Sequence, residues 1–469
     1  MAESENFRFV SCFDCSKEEL YTWHSRSGAL ERLIPPWEKT SVIQRKGGLE
    51  PGGEVVMKMY AGILPFYWVA HHVENVPGEY FRDIMHKGPF SAWSHRHIFK
   101  EQKAGACLED KIEYALPLHS LLPAFLKKHV DNTLLRTFHH RQKVLRADLE
   151  LQKICGKKKK KVLISGASGV LGRALQPLLS TGGHEVWTLV RRKPVSDRNE
   201  LFWDPVKGVI DDLPYFDAVI HLAGEYIGLG RWTAEKKKRV IESRTKGTSL
   251  LVKALASRQD KPEVFLSASA IGYYGDTKGN LVEEEAGHGS DFISEVCRLW
   301  EEAAEPAEKA GVRTVLMRIG ISLSPGGGAL QRLLTTSPVG FFRRLGSGDQ
   351  YISWISIDDT ISAIYHAMCC QQLEGPVNIT APHPTTNSDF MKILAEVTGK
   401  PRILPVPSQI LKAVYGQMAS EILLSGCKAS CSKLKESGFV FRHEILEDAL
   451  RDLLGKFESE MVGRERGQA

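Results

Sequence analysis

The sequence lacks any apolar run of membrane-spanning length: its longest candidate, residues 61–70, is far short of the ~20 residues that a spanning helix needs. It also lacks strong charge, because 62 Lys and Arg against 56 Asp and Glu leave a net charge of +6, which does not indicate a nucleic-acid partner. Its nine cysteines contain no zinc-ligand quartet, which favours free thiols in a reducing compartment. The polar, acidic start differs from a secretion signal. These absences predict a cytoplasmic protein and leave organelle import open.

The length of 469 residues predicts two or three domains, and the pattern changes near residue 150. Six strand-like runs followed by a helical stretch at 131–149 predict an antiparallel sheet closed by a C-terminal helix. From residue 161 onward strands alternate with helices, which predicts a doubly wound parallel sheet. The predicted boundaries are 1–152 for the first domain, 153–160 for a linker, 161–455 for the second domain with its substrate lobe, and 456–469 for a polar tail.

Five consecutive lysines, residues 157–161, fall at this boundary. A basic run of this kind suits either a solvated linker or a nuclear-import or anion-binding segment. Its place between two domains favours the linker.

A glycine-rich turn joins an apolar strand to a helix at residues 162–172. Gly166 gives the turn its backbone freedom, Gly169 lets the chain approach a pyrophosphate, and Gly172 lets the helix lie close to the sheet. The N–H groups at the helix start would face the phosphates. The spacing predicts a dinucleotide site with contacts from Gly166, Ser168, Gly169, Val170, Leu171 and Gly172.

The end of the second strand of this domain selects between nicotinamide cofactors. An acidic residue there would bind the ribose hydroxyls of NAD, whereas arginine accommodates the extra phosphate of NADP. The chain has Arg191 and Arg192 and no acid at this point. Because a guanidinium binds phosphate as a planar fork, the pair favours NADP, the alternative being two solvated arginines.

Before residue 150, the sequence contains two groups of residues of the types that bind metals or take part in redox chemistry. His95 and His97 lie on one face of a strand, and His71 and His72 lie on an earlier one. No carboxylate or cysteine completes a ligand spacing, so ordinary strand histidines are favoured over a metal site, and no metal is predicted. The Cys12-x-x-Cys15 pair lacks the helix N-terminus that activates such thiols, so it is assigned no function.

The first 150 residues resemble the START and polyketide-cyclase-like superfamily. The likeness lies in the order of elements, in the strand at 93–99, and in the segment 110–117 before the final helix. It implies an α+β helix-grip domain that binds an unidentified apolar small molecule. The predicted fold class is therefore α/β, a Rossmann-type doubly wound parallel sheet with a small substrate lobe, preceded by that helix-grip domain.

Residues 161–454 resemble the short-chain dehydrogenase/reductase superfamily, in its atypical, NAD-dependent epimerase-like branch. The motifs that carry this likeness are the glycine turn, Trp203-Asp204-Pro205, residues 221–225, Ser243-Arg244, residues 267–275, Trp300-Glu301, Arg318-Ile319-Gly320, residues 326–330 and residues 353–359. The resemblance implies a bound nicotinamide dinucleotide, with Asp204 near the adenine. It also implies that the segment Leu222, Ala223 and Gly224 passes under the adenine and ribose.

The resemblance further implies that Ser267 to Ser269 end the fifth strand beside the nicotinamide. Ser269 would hold the position of the catalytic serine or threonine, the alternative being a hydroxyl satisfied at a strand end.

The chain departs from the superfamily at the position of its catalytic tyrosine and lysine. The equivalent residues are Phe292 and Val296, which have neither a phenol proton nor a charge. Two functions stay open: an NADP(H)-dependent oxidoreductase or epimerase that uses Ser269, Tyr273 or Tyr274 instead, and a non-catalytic module that senses NADP(H) and an apolar ligand. A scaffold with a degenerate nucleotide site is disfavoured by the intact glycine spacing.

Overall fold

The structure, a computed structural model, describes residues 4–117, 124–156, 158–228, 230–336 and 341–457. It contains two compact units, formed mainly by residues up to Lys153 and by residues from Ile154 to Lys456. Within the described ranges, no helix combines the length and the apolar character needed to cross a bilayer. The predicted polar tail lies outside the described residues from residue 458 onward.

Where it is described, the first unit is an antiparallel sheet with three helices. Its seven strands have the order β1-β7-β6-β5-β4-β3-β2. A capping box begins the first helix, since Ser16 Oγ accepts the Glu19 N–H and the Glu19 carboxylate accepts the Ser16 N–H. The elements are β1 (Glu5–Phe13), α1 (Lys17–Ser25), α2 (Ala29–Leu33), β2 (Ser41–Lys46), β3 (Glu54–Ala61), β4 (Leu64–Val76), β5 (Tyr80–Lys87), β6 (Ala92–Gln102), β7 (Gly105–Ala115) and α3 (Ala124–Ile154).

The long helix α3 packs on the sheet. Phe138 of this helix contacts the rings of Phe7 and Phe9, with centroids 5.3 and 5.7 Å apart. The helix begins at Ala124, before the predicted start at residue 131, because Lys127, Lys128 and His129 interrupt the apolar spacing from which the start was predicted. The α+β arrangement agrees with the predicted helix-grip domain.

A disulfide joins the two strands at one edge of this sheet. Cys12 of β1 lies opposite Cys107 of β7, with Cα atoms 4.0 Å apart, and their sulfur atoms are bonded. Cys15 is free and buried. The scatter of cysteines along the chain predicted free thiols, and for this pair the prediction was wrong. Spacing along the sequence does not show which cysteines face each other across neighbouring strands.

The second unit contains the predicted parallel sheet. Its eight strands have the order β11-β10-β9-β8-β12-β13-β15-β20, and all but the short β11 run parallel. The sheet strands are β8 (Lys161–Ser165), β9 (Glu185–Val190), β10 (Glu200–Asp204), β11 (Val209–Ile210), β12 (Ala218–His221), β13 (Val264–Ala270), β15 (Arg313–Ile319) and β20 (Gly375–Ile379). Its central strands are apolar and fully buried, as expected for a sheet covered on both faces.

Helices cross between these strands and continue into the C-terminal lobe. They are α4 (Val170–Thr181), α5 (Ala234–Ala256), α6 (Phe292–Lys309), α7 (Gly328–Thr336), α8 (Ile357–Cys369), α9 (Asn387–Thr398), α10 (Ser408–Tyr415), α11 (Ser432–Glu436) and α12 (Leu446–Leu453). The remaining strands form two-stranded pairs: β14 (Leu281–Val282) with β23 (Lys428–Ala429), β16 (Ile321–Leu323) with β19 (Trp354–Ser356), β17 (Phe342–Leu345) with β22 (Arg402–Val406), and β18 (Tyr351–Ile352) with β21 (Thr385–Thr386).

The lysine run is more ordered than a solvated linker. Lys157 lies outside the described residues, whereas the side chains of Lys158 and Lys160 both bind the Glu263 carboxylate. Lys160 is buried, and Lys161 begins β8. The run therefore continues into the sheet of the second unit.

Candidate functional site

The strand order reverses between β8 and β12, and the glycine turn lies at this point. Gly166 follows β8 with φ of +73°, a conformation that L side chains rarely adopt. A Cβ at Gly166 would stand 2.7 Å from Ala223 N and from the Leu222 carbonyl carbon. The segments that follow β8 and β12 therefore touch through a position that only glycine can fill. Parallel α/β sheets bind ligands at such a switch point, beyond the carboxyl ends of the strands.

Hydrogen bonds from the backbone and from one side chain hold the rest of the turn. Gly169 N donates to Gly166 O over 3.0 Å, and Gln176 Nε2 donates to Ala167 O over 2.9 Å. A Cβ at Gly172 would stand 2.4 Å from Gly166 O, so this glycine seats the helix against the turn. Ser168 and Gly169 are exposed, and α4 begins immediately after them. The geometry fits a pyrophosphate at the start of α4.

The two arginines after β9 have different surroundings. Arg192 binds the Glu200 carboxylate with two hydrogen bonds of 2.7 and 2.6 Å, and this partner raises the pKa of the guanidinium. Arg191 is exposed and has no hydrogen bond or ion pair within the described ranges. Of the two, Arg191 is the cation that is available to a phosphate.

Of the remaining predicted cofactor contacts, Asp204 and Gly224 lie at or after the ends of their strands, whereas Ser267 lies in the middle of β13 and not at its end as predicted. Asp204 ends β10, where its Oδ1 accepts the Val206 and Lys207 N–H groups over 3.1 and 3.3 Å in the turn to β11. Gly224 follows β12, and a Cβ there would stand 3.3 Å from the Arg244 guanidinium. Ser267 is 1% exposed within β13. Asp204 thus has a local role in its turn.

Ser269 belongs to a buried ionic network that the sequence did not reveal. Its Oγ donates to Glu301 Oε1 over 2.6 Å. Arg318 Nε and Nη2 donate to the two oxygens of the same carboxylate over 2.9 and 2.8 Å. The side chains of Glu301 and Arg318 are 9% and 4% exposed. Glu301 and Arg318 both lie in motifs that carry the family resemblance, and those motifs are the sequence signal that could have identified them. Their spacing in the sequence does not show that the two side chains form a pair.

The two tyrosines after β13 surround the same arginine. Tyr274 OH accepts from Arg318 Nη1 over 2.9 Å and donates to Asn378 Oδ1 over 2.8 Å. Burial raises the pKa of Tyr274 to about 12, which makes this phenol a poor proton donor and acceptor near neutral pH. The half-buried Tyr273 ring lies 3.6 Å from the Arg318 guanidinium. Tyr273 is therefore the better placed of the two for proton transfer.

Phe292 and Val296, the residues that the sequence resemblance implies at the positions of the superfamily's catalytic pair, lie at the start of α6. Asp291 caps this helix by accepting the Ser294 N–H over 2.8 Å. The Phe292 ring contacts Trp232, with centroids 5.3 Å apart, and the Lys237 ammonium lies 4.9 Å from its centre. Val296 is 3% exposed. Both side chains pack, and neither supplies an acid, a base or a charge.

Comparison with known families divides the chain into three parts. Residues 14–143 match the polyketide cyclase / dehydrase and lipid transport family, and residues 162–379 match the NAD dependent epimerase/dehydratase family. Residues 406–453 match a domain of unknown function. The two resemblances inferred from the sequence are thereby confirmed.

Individual relatives cover the second unit or nearly the whole chain. An epimerase family protein of Mycobacterium bovis is 40% identical over 291 residues, which cover 62% of this chain and 96% of the relative. The structure of a nucleoside-diphosphate sugar epimerase from Corynebacterium glutamicum matches with a TM-score of 0.79 and 31% identity, covering 98% of this chain and 92% of that one. The structure of the human epimerase family protein SDR39U1 with NADPH matches with a TM-score of 0.59 and 30% identity, covering 63% and 100%.

Three findings lead to one assignment. They are the Rossmann-type sheet with the glycine turn at its switch point, the matching family model, and the relatives that this chain covers over nearly their whole length. The chain belongs to the NAD dependent epimerase/dehydratase family.

Proposed function

We propose that the chain is an NADP(H)-binding atypical short-chain dehydrogenase/reductase, an oxidoreductase or epimerase without the usual tyrosine and lysine. The observation that carries this proposal is the contact of Gly166 with the Leu222–Ala223 backbone at the switch point. Residues 166–172 would hold the pyrophosphate, Leu222 to Gly224 the adenine side, and Ser267 the nicotinamide side. The cofactor supplies hydride transfer when bound, and the protein supplies its orientation.

The preference for NADP(H) is assigned to Arg191. The human relative was solved with NADPH, while other neighbours contain NAD, so the preference in this chain rests on its own residues. The exposed Arg191 can contact a 2′-phosphate without breaking an existing ion pair, whereas Arg192 is already bound to Glu200.

We expect the Arg191→Ala variant to bind NADPH about ten- to a hundredfold more weakly, because a charge-assisted contact to phosphate contributes about 1.5–3 kcal/mol. Its affinity for NADH should not change. Fluorescence titration with both cofactors measures this difference. Arg343→Ala removes an exposed arginine in β17 and is the matched control, which should retain the preference. A preference for NADPH that survives in Arg191→Ala would show that this arginine is only solvated.

The absent tyrosine and lysine predict slow chemistry. A positioned general acid contributes about 10²–10⁴-fold in rate, and Phe292 and Val296 provide none. We therefore expect little NADPH oxidation with simple aldehydes, ketones or nucleotide sugars. The Phe292→Ala variant should bind NADPH like the wild type, because its ring only packs. Rapid NADPH oxidation that Phe292→Ala abolishes and Ser269→Ala leaves intact would contradict this assignment of α6.

A second candidate is a non-catalytic module that senses NADP(H). The observation that favours it is the engagement of Ser269 with Glu301 and of Tyr274 with Asn378. Of the three candidate acids, Tyr273 is then the one whose hydroxyl has no hydrogen bond among the described residues. Single-turnover mixing of NADPH with candidate carbonyl substrates separates the two functions. The Tyr273→Phe variant should lose any turnover that occurs if the enzyme assignment is correct.

The first unit is proposed to bind a small molecule, supported by its match to a family of cyclases and lipid-transport proteins. A cavity of about 20 Å³ lies in this unit among apolar residues such as Phe13 and Phe138 and polar ones such as Asp110 and Arg141. That volume holds about one water molecule, so a larger ligand would enter this cavity only if its lining moved.

A further inference from the structure

We propose that the first unit binds a divalent transition metal ion, Zn²⁺ or Fe²⁺, through Asp83, His95 and His97. The sequence favoured ordinary strand histidines because no carboxylate stood at ligand spacing. The fold supplies two carboxylates from neighbouring strands. This site is independent of the nucleotide crevice of the second unit.

Strand register brings the ligands together. Asp83 of β5 lies opposite His95 of β6, and His97 of β6 lies opposite Asp110 of β7. His95 and His97, two residues apart, share one face of their strand. Phe138 of α3 packs 5.7 Å from the His95 ring, so this is the face that the long helix covers. All four side chains are 15% exposed or less.

The distances suit a metal ion after a small adjustment. Asp83 Oδ2 lies 3.6 Å from His97 Nε2 and 3.9 Å from His95 Nδ1. One ligand atom from each of the three residues lies within 4.8 Å of the others. Ligands about 2.0–2.2 Å from Zn²⁺ in a tetrahedral site stand about 3.3–3.5 Å apart. Small rotations of the side chains would therefore close the site around an ion.

Asp110 stands behind the histidines in the manner of a supporting carboxylate. His95 Nε2 hydrogen-bonds to Asp110 Oδ1 over 2.9 Å, and His97 Nδ1 lies 2.8 Å from the same oxygen. Each imidazole thus points one nitrogen at Asp110 and the other toward Asp83. Metal-binding histidines almost always donate their second N–H to such a group, which fixes the lone pair of the first nitrogen on the metal.

Charge and ligand type point to the class of ion. With neutral histidines the four side chains carry two buried negative charges. The Arg141 guanidinium, which lines the same cavity as Asp110 and His97, offsets one of them and leaves the other for a metal ion to neutralise. Two imidazoles and one carboxylate suit Zn²⁺ and, with open positions, non-haem Fe²⁺ better than Ca²⁺ or Mg²⁺. His72 lies opposite Asp83 in the register, and its buried Nδ1 has no hydrogen-bond partner among the residues described. It is the candidate for a fourth ligand.

The test uses the full-length chain without an affinity tag, stripped with a chelator and titrated with Co²⁺, whose visible absorption reports coordination. We expect one Co²⁺ per chain, displaced by one Zn²⁺. Asp83→Asn and His97→Gln should weaken Co²⁺ binding at least tenfold, and Asp110→Asn should weaken it about ten- to a hundredfold without removing a ligand. His71→Gln, which alters a histidine paired with Glu54 outside the cluster, is the control and should bind like the wild type.

Absence of a Co²⁺ absorption band in the wild type would overturn the proposal. Equal binding by His97→Gln and His71→Gln would overturn it as well. Circular dichroism shows whether each variant is folded. If the ligand variants do not fold, thermal unfolding of the wild type decides: Zn²⁺ should raise its Tm, and an unchanged Tm would refute the site.

Discussion

Replacement of Gly166 by alanine is expected to lower the affinity for NADPH about a hundredfold or more. The new methyl group would stand 2.7 Å from backbone atoms of Leu222 and Ala223, and the positive φ adds backbone strain of about 1–3 kcal/mol. Because these neighbours are backbone, the loops must separate, and the surface that would receive the pyrophosphate is lost. A cost of about 3 kcal/mol corresponds to about a hundredfold in affinity. Fluorescence titration with NADPH measures it.

Gly311→Ala is the matched control for this substitution. Gly311 has a similar φ of +84°, but a Cβ there would meet no atom within 4 Å. It lies between α6 and β15, at the amino end of the strand and away from the crevice. This variant should lose some stability and keep its affinity for NADPH. If Gly166→Ala binds NADPH as tightly as Gly311→Ala does, the close approach of the two loops is not required for the cofactor.

Arg318→Met is expected to lower the free energy of unfolding of the second unit by about 3–5 kcal/mol, because it leaves the Glu301 carboxylate buried without its cation. Ser269→Ala removes one hydrogen bond to the same carboxylate and should cost only about 1–2 kcal/mol. Urea unfolding followed by tryptophan fluorescence gives both values.

The double variant Arg318→Met with Glu301→Gln distinguishes the cost of losing the ion pair from the cost of leaving one charge buried without a partner. It removes both charges, so its loss of unfolding free energy should be clearly smaller than the sum of the losses measured for Arg318→Met alone and Glu301→Gln alone. A strictly additive result, or an Arg318→Met protein as stable as the wild type, would mean that water reaches this pair and that the network does not fix β13, α6 and β15.

Most of the helices and strands were predicted from local sequence signals, because secondary structure depends largely on residues that are neighbours in the sequence. The buried apolar strands before Gly166 and His221, and the amphipathic helices between them, follow from periodicity and turn residues. The start of α3 at Ala124 did not, since Lys127, Lys128 and His129 interrupt the apolar spacing ahead of residue 131. The order of the strands within each sheet was not predicted, because periodicity does not show which strands pair.

Side chains that meet across different strands and helices could not be paired from the sequence. Asp83 and His97 are 14 residues apart, and Glu301 and Arg318 are 17 apart, yet each pair meets through tertiary structure. The same holds for Cys12 and Cys107, which lie at opposite ends of the first sheet's sequence. Arg191 and Arg192 are adjacent in sequence, and only the position of Glu200 distinguishes the free guanidinium from the paired one.

Hydrogen–deuterium exchange of the full-length chain with and without NADPH tests the central claim, that the cofactor lies at the switch point between β8 and β12. Backbone N–H groups at the start of α4 and after β12 would face or border the cofactor. We predict slower exchange in residues 167–173 and 222–225 when NADPH is present, and no slowing there with the Gly166→Ala variant. Unchanged exchange in both segments at saturating NADPH, or protection confined to other parts of the chain, would contradict the account.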